Sequence, residues 1–150
     1  MKRIFQLLGA LTLVACTNGG IIAQTSGNAD QTVDVNLTLD PVARTSAGSG
    51  GGYAPVVMTV TVGTRIRFLN SDSFAHTATL IPSATSFPAG SPFTVSAQTQ
   101  SGSMLSQSWS SGTLAAGASS QTLTVDRAGT YLYGCFFHYG APMRGMIVAN

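Results

Sequence analysis

Near its C-terminal end the chain carries the run Cys135-Phe136-Phe137-His138-Tyr139-Gly140-Ala141-Pro142-Met143, which places a thiol, an imidazole and a thioether in one loop-sized stretch. The remaining 141 positions offer one further histidine, His76, and one further cysteine, Cys16. A thiolate, two imidazoles and a thioether are the ligand set of a mononuclear blue-copper site. The soft sulfurs hold Cu(I), the imidazole pair also suits Cu(II), and a site acceptable to both states passes an electron with little rearrangement. Taken singly, the same residues read as a buried thiol, incidental histidines and a core methionine, since Cys and Met are routine core residues. Taken jointly, the four types match one metal geometry.

A chain of 150 residues has room for one domain and a leader. Only 8% of residues are charged, and Gly, Ser, Thr and Ala dominate, as in a protein of short strands and turns. Residues 1–15 read as a signal peptide: Lys2 and Arg3 precede an apolar stretch too short to span a bilayer. Leu13-Val14-Ala15-Cys16 resembles the bacterial lipobox, which predicts a lipidated Cys16 as the first mature residue. Plain cleavage farther on, after Ala23, and a Cys16–Cys135 disulfide are the alternatives. Without the leader, Arg44, Arg65, Arg67, Arg127 and Arg144 stand against Asp30, Asp34, Asp40, Asp72 and Asp126, so the mature chain is formally neutral. Nothing in that balance supports nucleic-acid binding.

Residues 16–31 are expected to be a lipidated N-terminus and flexible tether, being small and polar with several glycines. The folded domain is placed at 32–150. Apolar residues alternate over 33–39, the period-2 pattern of a half-buried strand. Residues 44–53 form a Gly/Ser break, and β-branched stretches at 56–62 and 64–69 read as strands hinged at Gly63. A loop, Asn70-Ser71-Asp72-Ser73-Phe74-Ala75-His76, leads into a short strand at 77–81. Residues 82–111 are rich in Ser, Pro and Gly; a loop so long needs structured pieces that pack Phe93 and Trp109 onto the core. Strand patterns return at 121–125, 130–133 and 145–148. No helical periodicity is present, and the pattern predicts an all-β Greek-key sandwich of about seven to eight strands.

From about residue 33 to the end, the chain resembles the cupredoxins of the plastocyanin/azurin-like group. The resemblance rests on Gly63-Thr64-Arg65-Ile66-Arg67-Phe68-Leu69-Asn70 followed by His76, on Ser111-Gly112-Thr113-Leu114 with Gly117, and above all on Gly129-Thr130-Tyr131-Leu132-Tyr133-Gly134-Cys135 with Cys-x2-His-x4-Met spacing. It implies one type 1 copper ion, with His76, Cys135 and His138 in a trigonal plane and Met143 as the long axial ligand. It also implies that Asn70 braces the loop carrying the first histidine, although an ordinary turn residue would look the same. Thr77 stands where plastocyanins have asparagine, which puts a side-chain brace to the ligand loop in doubt while leaving a backbone N–H for the Cys135 sulfur. Phe137 stands where they have proline, so a second backbone N–H is available toward that sulfur, and the expectation is a raised potential. Phe74, Ala75, Tyr139, Ala141 and Pro142 are expected to surround His138 as an apolar patch for electron exchange, or else simply to close the end of the barrel.

The implied function is single-electron transfer between protein redox partners such as a cytochrome, an oxidase, or a respiratory or photosynthetic complex. It would be carried out by an exported, lipid-anchored monomer in the periplasm or at the outer cell face. An oxidase or nitrite reductase needs more histidines than this chain has, and a hydrolase would lack a spare histidine base. Copper storage or delivery without electron transfer is the rival. It is disfavoured because the methionines are not clustered and a closed cage releases metal slowly.

Overall fold

A computed structural model describes residues 22–24, 30–36 and 42–150. The leader, Cys16, residues 37–39 of the first expected strand and most of the expected tether lie outside them. In chain order the first strands are β1 (Ile22–Gln24), β2 (Asp30–Val35), β3 (Ala43–Thr45), β4 (Gly48–Gly50), β5 (Tyr53–Ala54), β6 (Val57–Val60) and β7 (Arg65–Asn70). After His76 come β8 (Thr79–Leu80), a 3-10 turn at Val95–Gln98, β9 (Gln100–Ser101), β10 (Ser110–Ser111), β11 (Leu123–Thr124), β12 (Gly129–Gly134) and β13 (Arg144–Ala149).

One sheet has the order β1-β6-β13-β12-β8-β10-β9, a second has β11-β7-β2-β5, and β3-β4 is a separate hairpin. β2 pairs with β7 and β6 with β13 in parallel. Parallel partners cannot be joined by a tight hairpin, so the chain crosses between sheets, giving the expected all-β Greek-key sandwich. The strand segments outnumber the seven or eight expected, because β8, β9, β10 and β11 are two-residue pieces between turns rather than long strands. Two parts of the segment read as tether are paired: β1 lies along Val57–Thr59, and Asp30 and Gln31 open β2. In both places the backbone satisfies N–H and C=O groups that a sheet edge would leave bare.

The patterning in β7 shows why the sheet forms: Ile66, Phe68 and Asn70 are buried while Arg65, Arg67 and Leu69 face outward. Ile66 and Phe68 join Val33, Val35, Met58, Val60, Trp109, Leu123, Tyr133 and Ile147 in the main core. Phe68 stacks on Trp109 at 5.7 Å and meets Tyr133 edge-on at 5.2 Å.

β12 and β13 differ from β7, because both their faces are covered. Tyr133 and Ile147 point into the main core, whereas Leu132 and Met146 join a second cluster with Ala47, Ile81, Phe87 and Tyr139. Phe93 packs on that second cluster and Trp109 on the first, so residues 82–111 are not a structureless loop; they help cover the outer face of this sheet.

The β12–β13 hairpin is so closely packed that a methyl group at Gly145 would overlap the Tyr133 ring. Gly145→Ala should therefore cost about 1–3 kcal/mol by overpacking. Nothing lies within 4 Å of a Cβ built at Gly140, so Gly140→Ala should stay within about 0.5 kcal/mol of the parent. Chemical denaturation midpoints of the two variants test this; equal midpoints would refute it.

Candidate metal centre

β12 and β13 stay in register up to Gly134 opposite Arg144, so the residues 135–143 form the loop that closes their hairpin. The Cys135 N–H donates to the Met143 carbonyl at 3.0 Å and shuts the loop at its base. Within it, the His138 carbonyl accepts from the Ala141 N–H at 2.9 Å and the Met143 N–H at 3.2 Å, which pins the histidine backbone. Met143 is fully buried. The Gly/Ser break expected at 44–53 is instead ordered structure packed against this loop. Gly51 and Arg144 exchange two backbone hydrogen bonds of 3.0 Å. Gly52, at φ +71°, lies so close to Met143 that a Cβ there would sit 2.5 Å from its Cγ and 3.3 Å from its Sδ. Only glycine suits that position, both for its left-handed backbone and for the space taken by Met143.

His76 comes from the opposite side, between β7 and β8. Its backbone pairs with Leu114, the His76 N–H donating at 3.1 Å and the Leu114 N–H returning at 2.8 Å. This gives the Ser111-Gly112-Thr113-Leu114 block a structural role. Asn70 is fully buried, its Nδ2 donating to the carbonyls of Phe74 at 2.7 Å and Leu114 at 2.8 Å. Its Oδ1 accepts the Asp72 N–H at 2.9 Å. Asp72, a residue that nothing in the sequence singles out beyond its charge, is buried and sets its Oδ2 2.9 Å from His76 Nε2.

These segments bring three donor atoms together. Cys135 Sγ is 3.8 Å from His76 Nδ1 and 3.8 Å from His138 Nδ1, and the two nitrogens are 3.1 Å apart. A point equidistant from all three lies about 2.1 Å from each, close to the ~2.0–2.3 Å of first-row metal bonds to imidazole and thiolate. One sulfur and two imidazole nitrogens around a single point suit copper by donor chemistry as well as by size. Burial, and then the neighbouring His76, hold the His138 imidazole below its usual pKa, against an opposing pull from Asp72. A neutral ring keeps a lone pair free for a metal.

Thr77 corrects one expectation. Its N–H reaches the Cys135 sulfur at 3.4 Å, as anticipated, but its Oγ1 also accepts the Phe136 N–H at 2.8 Å. The side-chain brace placed in doubt by the loss of asparagine is thus supplied by a hydroxyl, which needs only one lone pair for the task. The Thr77 carbonyl in turn accepts from the Tyr53 hydroxyl at 2.6 Å. Burial raises the Tyr53 pKa well above its usual value, with Cys135 and then Tyr133 adding to it, so the phenol remains a donor. Phe137 corrects another expectation: among the described residues its N–H makes no hydrogen bond to the sulfur, which removes the basis for a potential raised by that contact.

At the surface, Phe74 is 62% exposed and Phe137 41%; Ala75 and Ala141 are exposed, and Pro142 and His138 half-buried. Tyr139 does not share this surface, being only 2% exposed. Its hydroxyl donates to the Pro88 carbonyl at 3.1 Å, and its ring lies under the Arg144 guanidinium at 4.1 Å and edge-on to Phe93. Phe137, read from the sequence as a neighbour of the sulfur, takes its place.

By sequence, residues 43–150 match the family model described as copper binding proteins of the plastocyanin/azurin family. No curated protein matches the chain by sequence. Among solved structures, a purple cupredoxin from Nitrosopumilus maritimus matches with TM-score 0.51 at 20% identity, over 79% of this chain and 98% of that one. A pseudoazurin from Sinorhizobium meliltoi matches with TM-score 0.49 at 20% identity, over 81% and 74%.

The Thr77 brace is open to direct test. Thr77→Val leaves the Phe136 N–H without its acceptor and should cost about 1–3 kcal/mol, whereas Thr77→Ser keeps the hydroxyl and most of the stability. Denaturation midpoints decide: a valine variant as stable as the parent would show that the hydroxyl braces nothing.

Proposed function

The chain belongs to the plastocyanin/azurin family of copper-binding proteins, and on that premise we propose that it is a type 1 copper protein that carries single electrons between redox partners. The observation that carries this reading is the triangle of Cys135 Sγ, His76 Nδ1 and His138 Nδ1 around one point. Copper bound there supplies a one-electron Cu(II)/Cu(I) couple. Cys135 would provide the thiolate, His76 and His138 the imidazoles, and the buried Met143 a thioether. With no histidine beyond these two, the set serves one ion.

The protein's own residues keep the geometry fixed in both redox states. Cys135 and His138 are held by the base of the β12–β13 hairpin, His76 by Leu114 and Asn70, and the halves meet at Thr77. A frame built on strands changes little when one electron arrives. His76, Cys135 and Met143 are buried, which shields the ion from solvent; His138 alone reaches the surface. Complete burial of those three favours electron carriage over copper storage or delivery, which needs an open coordination site.

Electrons would enter and leave through the His138 edge. Phe74, Phe137, Ala141 and Pro142 provide a small apolar surface for brief docking with a cytochrome, an oxidase, or a respiratory or photosynthetic complex. The working form is a monomer, exported and held at a membrane in the periplasm or at the outer cell face through lipid on Cys16.

Copper reconstitution tests the reading. The Cu(II) protein should show an intense blue absorption that vanishes on reduction and is missing in Cys135→Ser; a colourless copper complex would refute it. For the anchor, lipid labelling in a bacterial host should mark the wild type and not Cys16→Ser, and an unlabelled wild type would exclude it.

A further inference from the structure

Asp72 lies outside the ligand set, yet it is placed behind one of its members. Its two carboxylate oxygens divide their work. Oδ1 accepts the Ser73 N–H at 2.6 Å, with the Phe74 N–H and the Ser73 hydroxyl each at 3.4 Å, and so turns the loop. Oδ2 lies 2.9 Å from His76 Nε2. The turn itself needs only one oxygen, and the second is buried against an imidazole with no accessible surface.

An anionic acceptor at Nε2 selects the tautomer that carries its proton there. The bare Nδ1 then faces Cys135 and His138, where the donor triangle requires it. The same hydrogen bond pushes electron density toward Nδ1 and sets a negative charge behind the ring in a poorly screened interior. Both effects favour the more positive state of a metal held at Nδ1.

We propose that Asp72 is a positioning residue that locks His76 in its Nε2-protonated tautomer and biases the centre toward its oxidised state. The first half stands on the contacts of Asp72 and His76 themselves, and the second rests on the copper site proposed above. Nitrogen-15 NMR of the metal-free wild type should show His76 protonated at Nε2 and bare at Nδ1; the opposite tautomer would overturn the proposal. In the copper-loaded protein, Asp72→Asn keeps an oxygen for the Ser73 and Phe74 N–H groups but replaces the anionic acceptor at Nε2 with a neutral amide NH2. It should weaken Cu(II) about tenfold relative to Cu(I), a rise of about 59 mV in potential. An unchanged or lower potential would overturn the bias and leave Asp72 a loop brace. A wild type that forms no blue complex would instead defeat the functional reading, while the tautomer measurement would still decide the first half.

Discussion

Three hydrogen bonds at Thr77 hold together two segments that lie far apart in the chain. His76 and Cys135 are 59 residues apart, and their donor atoms meet at 3.8 Å. Such closeness between two distant loops costs conformational entropy that neither loop offsets alone. Thr77 joins them with its N–H on the Cys135 sulfur and its hydroxyl under the Phe136 N–H, while its carbonyl is tied to the core by Tyr53. All three polar groups of this buried residue have partners. Removing any one would leave a buried polar group bare as well as loosen the joint.

The joint holds because the elements beneath it are rigid. β12 and β13 have apolar partners on both faces, so the hairpin that presents Cys135, His138 and Met143 is packed from two sides. Residues 82–111 are part of that arrangement, with Phe87 and Phe93 against the outer face and Trp109 against the inner one. A long segment poor in regular structure thereby has a mechanical role: without its aromatic rings, Leu132 and Met146 would face water behind the ligand loop.

Much of this was legible in the sequence, because periodicity and spacing are local properties. Alternation at 64–69 marks β7, and Cys-x2-His-x4-Met marks the ligand loop. What escaped depends on contacts between distant segments. Nothing local in Gly52 shows that it lies against Met143, and the Gly/Ser run around it reads equally as a loose linker. Tyr139 looks like a surface aromatic until Pro88 arrives from elsewhere in the chain and Arg144 folds back over its ring. Asp72 offered a weak signal, an acid four residues before a histidine in a turn-rich stretch; only the fold of that loop turns its carboxylate toward the ring.

The site's electronic character follows from the same division. Two influences meet on the donor triangle, and both come from one short segment on the His76 side. The Thr77 N–H draws charge from the sulfur and favours Cu(I) at the proposed centre, whereas the carboxylate behind His76 acts in the opposite sense. The ligand loop supplies no second N–H to the sulfur, although Phe137 has one to give. The loop contributes Cys135 and His138 to the donor triangle, while residues 70–77 contribute His76 and the polar groups beside it, the Thr77 N–H and the Asp72 carboxylate. On the proposed copper reading, a chain with the same Cys-x2-His-x4-Met run and a different turn after β7 would bind the metal at a different potential. If the proposed centre holds, the family motif alone is a poor guide to its potential, because the Asp72 carboxylate and the Thr77 N–H lie outside that motif.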